Sequence, residues 1–100
     1  MEKPKYKMKA KVWLYPGAAA WHFMTLPQKQ SKEIKKLFGA MAGGWGSLPV
    51  IVTVGKTSWK TSIFPDKKSA SYLLPLKAEA RKKENIKIGD VIVFSIEIQI

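Results

Sequence analysis

His22 is the single histidine of the chain and the first place to look for acid–base chemistry, because imidazole is the side chain that titrates nearest neutral pH. It lies between Trp21 and Phe23, and no carboxylate occurs in the surrounding run from Tyr15 to Ser31. A general base needs a partner to orient it and a proton within reach, so His22 reads as an ordinary strand residue. The seven acidic residues are scattered and form neither a paired-carboxylate nor a metal-ligating signature. Asp90 is expected to complete a turn by accepting backbone amides. Absence of cysteine removes thiolate nucleophiles, disulfides and sulfur-bound zinc or iron. Ser58, Thr61 and Ser62 gather hydroxyls around Trp59 and Lys60, but no Gly-x-Ser-x-Gly elbow activates them. The structural explanation is strand residues of high β-propensity; the alternative is a small anion or sugar site, with Trp59 stacking and Lys60 donating.

Two further residues belong with that binding set. Arg81 is the only arginine in a chain whose other cations are all lysine, and its planar fork alone can grip an anion with two parallel hydrogen bonds. Trp45 stands among glycines in Gly43-Gly44-Trp45-Gly46, where it either plugs a barrel end or presents its ring to a partner; plugging is the expectation, since large aromatics usually pack. Neither a preceding strand nor a following Lys-Ser/Thr makes this a phosphate loop. The candidate ligand-binding residues are therefore Trp45, Trp59, Lys60, Thr61, Ser62 and Arg81. No catalytic residue, metal or cofactor is expected.

The formal net charge is +11, with a pI near 10.0, which draws anions of any kind. Its clearest concentration lies in KYKMKAKVWLY: Lys5, Lys7, Lys9 and Lys11 fall on one face of a strand, while Tyr6, Met8, Ala10, Val12 and Leu14 fall on the other. Trp13 and Tyr15 continue the lysine face. Lys7, Lys9, Lys11 and Trp13 are thus candidate nucleic-acid contacts, cations for phosphates and a ring for bases. The structural explanation is a solvated edge strand whose lysines discourage aggregation, and this is preferred.

These residues sit on a chain that reads mainly as strands. Beyond the first strand, WHFMTL is a second and LPVIVTV a third, buried on both faces; TSWKTSIF returns as the hairpin partner of LPVIVTV after Gly55-Lys56. A short strand over residues 71–74 ends at Pro75, and residues 91–100 close the chain with Ile92, Phe94, Ile96, Ile98 and Ile100 on one face. One capping helix is expected near residues 31–42, with Ser31 as N-cap and Ile34, Leu37, Phe38 and Met41 facing the core; a short helix follows near 77–84. The sum is a small closed β-barrel of about six strands in a single domain spanning residues 1–100. The order strand, Leu-Pro, helix, turn, strand occurs twice, which suggests two interlocking halves in a double-split, pseudo-twofold barrel.

The combination of VWLY, WHFMTLP, GGWGSLPVIVTVG, TSWKTSIFPDK, YLLPLKAEARKKENIKIGD and VIVF resembles a widespread microbial family of small β-barrels known only as a domain of unknown function. In some proteins that domain stands ahead of a bacteriocin-protection (YdeI/OmpD-associated) domain. The resemblance covers nearly the whole chain and implies a fold, with no catalytic residues to carry over. A local resemblance over residues 72–94 links Leu74-Pro75, Arg81, Ile86 and Gly89-Asp90 to the swapped-hairpin barrels of AbrB/SpoVT-type regulators, which bind DNA as dimers. Shared topology does not fix function.

The resulting expectation is a non-catalytic binding or interaction module for an unidentified ligand. The alternative is a nucleic-acid-binding or regulator-like protein using its basic surface. An anionic ligand or weak, non-specific nucleic acid is the expected partner, with no membrane partner, since the longest apolar run is too short to span a bilayer. No signal-peptide pattern opens the chain, so a cytoplasmic location is expected, and a monomer with a dimer kept open.

Overall fold

A computed structural model describes residues 3–17 and 21–99. Alternating side chains make strands of β1 (Lys5–Leu14), β2 (His22–Thr25), β3 (Leu48–Val54), β4 (Thr57–Asp66), β5 (Ser71–Leu76) and β6 (Val91–Ile98). They close into an antiparallel barrel in the order β1-β2-β5-β4-β3-β6. Exchanging β1 with β4, β2 with β5 and β3 with β6 reproduces that cyclic order, as a pseudo-twofold arrangement requires. The inward faces supply the core, in which Met24, Leu48, Val52, Ile63, Leu74 and Ile96 are fully buried. The helices are α1 (Gln28–Phe38) and α2 (Ala78–Lys83), and short 3-10 turns occupy Gly39–Met41 and Gly44–Gly46.

The first helix begins earlier than expected. Pro27, at φ −55° and ψ 143°, is its N-cap, and proline's fixed φ suits a helix start. Ser31 is consequently inside the helix and buried; its hydroxyl accepts the Tyr72 N–H at 3.1 Å. Ile34 and Phe38 are buried as expected, but Leu37 and Met41 are 55% and 59% exposed. The helical repeat ends at Phe38, so the 3-10 turn that carries Met41 no longer presents the same face.

Two strands differ as well. In β3, inward Leu48, Val50, Val52 and Val54 are buried, while Pro49 is exposed and Ile51 and Thr53 are half-buried, because the outer surface of this wall has no layer over it. Strand β5 runs through Pro75, which pairs with Phe23 of β2. Proline is tolerated there because the β4–β5 ladder has already ended at Phe64↔Leu73, so no neighbour on that side requires its missing N–H. Ile100 lies outside the described residues.

Closure is incomplete at two places. The β4–β5 ladder covers Phe64↔Leu73 to Asp66↔Ser71, and the β1–β2 ladder covers Val12↔Met24 to Leu14↔His22. Beyond each ladder the strands diverge, producing the two splits. Glu33 of α1 lies against Tyr6 of β1: burial first, then this carboxylate, raises the Tyr6 phenol pKa. The longer helix thus serves the β1–β2 side, with Ile34 and Phe38 as its buried side chains. Helix α2 has six residues and buries only Ala80 among them. Unequal filling of two equivalent gaps is what leaves room for a site.

Candidate functional site

The β4–β5 split holds a cleft with a volume of about 320 Å³. Lys60 and Thr61 of β4 face Pro75 and Leu76 of β5 across it, and Ala78 and Arg81 of α2 form a third side. Strand alternation buries Trp59 and leaves Lys60 exposed, so the indole supplies an inner wall and the ammonium group stands at the rim. Trp21 and His22, where β2 begins, complete the lining with Lys77.

Arg81 is the fixed element of this site. Its Nε–H donates to the Leu76 carbonyl at 3.1 Å, and Nη1 lies 3.4 Å from His22 Nε2. These contacts use Nε and Nη1, and Nη2 makes no hydrogen bond among the described residues. A guanidinium held by the backbone has little freedom left to lose on gripping an anion. Lys60 and Lys77 add two more cations, and no carboxylate is among the described lining residues. The one ion pair among the described residues joins Lys83 to Glu79 at 3.3 Å on the outer face of α2. Trp59 Nε1 is buried without a hydrogen-bond partner among the described residues, an unsatisfied donor in the cleft wall. A second hollow of about 340 Å³ lies beside α1, but there Asp66 is committed to its turn, accepting the Ser69 amide and hydroxyl at 3.2 and 2.7 Å.

The structure therefore brings together Trp59, Lys60, Thr61 and Arg81 and leaves out Ser62 and Trp45. Ser62 follows Thr61 on the opposite face of β4. Trp45 does not plug the barrel: its ring is 93% exposed and its φ is 64°. The loop is held instead by backbone, since Gly46, at φ +73°, lies so close to Pro65 that a Cβ would meet the proline ring at 2.9 Å. Sequence reasoning missed Trp21, His22 and Lys77 as lining residues. Their only local signal was proximity to proline-bearing strand ends, and it takes the barrel closure to bring them together. Asp90 does accept a turn amide, from Lys87 at 2.9 Å.

The lysines of β1 point outward as the alternation requires, with Lys5, Lys7, Lys9 and Lys11 all exposed. Trp13 shares their face and is half-buried against Phe23, with ring centroids 5.4 Å apart; its Nε1–H donates to Thr25 Oγ1 at 2.9 Å.

The model of the family described as Domain of unknown function (DUF1905) matches residues 9–96. The chain belongs to the DUF1905 family. The match takes in all the strands and both helices, beginning within β1 and ending within β6, so the cleft of this DUF1905 barrel lies wholly inside it. No curated protein matches the sequence. No helix among the described residues is long and apolar enough to cross a membrane.

Proposed function

We propose that this DUF1905 barrel is a non-catalytic binding module whose ligand is a small anion with a flat apolar portion, taken into the β4–β5 cleft. The observation that carries the reading is convergence of Lys60, Lys77 and Arg81 on a cavity with no carboxylate among its described lining residues, Arg81 being held by the Leu76 carbonyl. Uncompensated cations around a partly apolar hollow complement an anion bearing a flat or aliphatic body. Trp59 and Pro75 supply walls for that body, and Trp21 an exposed aromatic rim. Binding without turnover is the preferred reading because cations flank His22, whose Nε2 lies 3.4 Å from Arg81 Nη1.

The test is nuclear magnetic resonance titration with benzoate, adenosine monophosphate and inorganic phosphate, observing the Arg81 Nε–H and the tryptophan indole N–H signals. At least one flat anion should shift Arg81 and Trp59 together, with inorganic phosphate weaker. Arg81→Gln should abolish the shift, and Lys60→Gln should weaken it. Signals unmoved by the whole panel, or moved equally in the folded Arg81→Gln variant, would refute the cleft as the binding site. Turnover of any such anion, lost on His22→Ala in folded protein, would overturn the non-catalytic reading.

A further inference from the structure

A second surface, which meets the cleft at Trp21, carries a further inference. Lys7, Lys9 and Lys11 stand opposite Ser95, Val93 and Val91 of β6, so no carboxylate neutralises them across the strand. Of the β1 lysines, Glu97 stands opposite Lys5, at the far end of the row. At the near end the same face continues into aromatic rings packed around Phe23. Tyr15 meets it edge-on at 5.9 Å, and Trp21 stacks on it at 6.0 Å and 27°. Trp13 lies between the lysines and this group, and the backbone bond from Tyr15 N–H to the Trp21 carbonyl, 2.8 Å, holds the two outer residues together. Tyr15 and Trp21 are nevertheless 47% and 54% exposed. Along the lysine row β1 pairs with β6, and its pairing with β2 covers only Val12 to Leu14, where the aromatic group begins.

From this we infer that β1 and the β1–β2 aromatic group form a track for single-stranded nucleic acid, phosphates along the lysines and bases on Tyr15 and Trp21. Same-face residues repeat at about 7 Å, and Lys7 to Tyr15 spans about 26 Å, a length in keeping with barrel sites that hold roughly 4–16 nucleotides. The rings are already packed against one another, so little ordering is needed before a base stacks on them. The single file of cations leads away from the aromatic group. That geometry suits a linear polyanion better than a lipid surface, which would favour cations arranged around an apolar tip.

The experiment is fluorescence anisotropy of a labelled oligothymidylate of about 12 nucleotides, titrated from about 50 mM salt upward. Each phosphate contact on a single strand contributes about 0.7 to the slope of log affinity against log salt. The triple variant Lys7→Gln/Lys9→Gln/Lys11→Gln should therefore lose about 2 units of slope, whereas Lys56→Gln/Lys67→Gln/Lys68→Gln, with the same change in net charge, should lose almost none. Tyr15→Ala and Trp21→Ala should each weaken binding about 5- to 150-fold, as loss of a stacked base does, with little change in slope. Arg81→Gln, which disables the cleft, should leave oligonucleotide affinity unchanged; a large loss there would place the strand in the cleft and overturn the track. So would equal slopes for the two triple variants, or no binding at about 50 mM salt. Binding to phosphatidylserine vesicles in place of oligothymidylate would identify a membrane surface instead.

Discussion

Ser31 shows how a single side chain can join helix to barrel. Its hydroxyl accepts the Tyr72 N–H at 3.1 Å, while the Tyr72 carbonyl accepts the Leu26 N–H at 2.9 Å. The backbone of β5 thus finds partners on both β2 and α1. Ser31→Ala leaves the Tyr72 amide buried without that acceptor, a loss of about 1–3 kcal/mol, to be read from chemical denaturation. A change below about 0.5 kcal/mol, the level of an ordinary surface substitution, would show that the contact contributes nothing. Local rules assign serine to a helix N-cap, which is why the sequence reading placed it there. Pro27 starts the helix earlier, and the serine is left to make a bond with a strand far along the chain. Trp45 misled for a related reason. Aromatic residues usually pack, but the loop is secured at Gly46 against Pro65, and the preceding side chain is turned outward. Neither long-range contact is visible in local sequence.

At the level of elements, the helical spacing of Ile34, Leu37, Phe38 and Met41 correctly marks a helix but overstates its buried face. Phe38 is 8% exposed against 55% for Leu37. Phe38→Ala should cost about 3–5 kcal/mol, whereas Leu37→Ala should stay within about 0.5 kcal/mol; comparable losses in urea denaturation would mean the helix is seated differently. The β3–β4 hairpin was legible from its apolar runs and Gly55-Lys56, and it pairs from Val54↔Thr57 to Leu48↔Ile63. What the sequence could not show is that α2 locks this turn. Thr57 donates its hydroxyl to Glu84 Oε2 at 2.6 Å, and a Cβ on Gly55, whose φ is +57°, would collide with the Glu84 carboxylate. Gly55→Ala therefore combines backbone strain with displacement of Glu84, and should destabilise by about 1–3 kcal/mol. Thermal melts of Gly55→Ala and of Gly55→Ala/Glu84→Ala decide the cause: partial recovery in the double variant is expected, and none would leave strain alone responsible.

For the whole molecule, strand alternation and the repeated order of elements were enough to anticipate a closed six-stranded barrel, because each half repeats the same pattern. The candidate site was legible only in part. Trp59, Lys60, Thr61 and Arg81 could be singled out by residue type, but their meeting with Trp21, His22 and Lys77 depends on where the β4–β5 ladder stops. Closure also buries phenols. Burial raises the Tyr72 pKa, and burial followed by Glu33 raises that of Tyr6. Both groups are neutral when protonated, and a folded-state pKa above the unfolded value of about 10 means that folding favours the proton. Their contribution to stability is complete below about pH 10 and is lost as pH rises through the folded values. Other pH-dependent contributions overlap with this one in the parent protein. The double variant Tyr6→Phe/Tyr72→Phe separates them, since it retains every lysine. Its stability, measured by urea denaturation between about pH 9 and 11, should fall less steeply than the parent's, whatever the offset between them at neutral pH. Parallel profiles would show that neither phenol is coupled to folding through its proton.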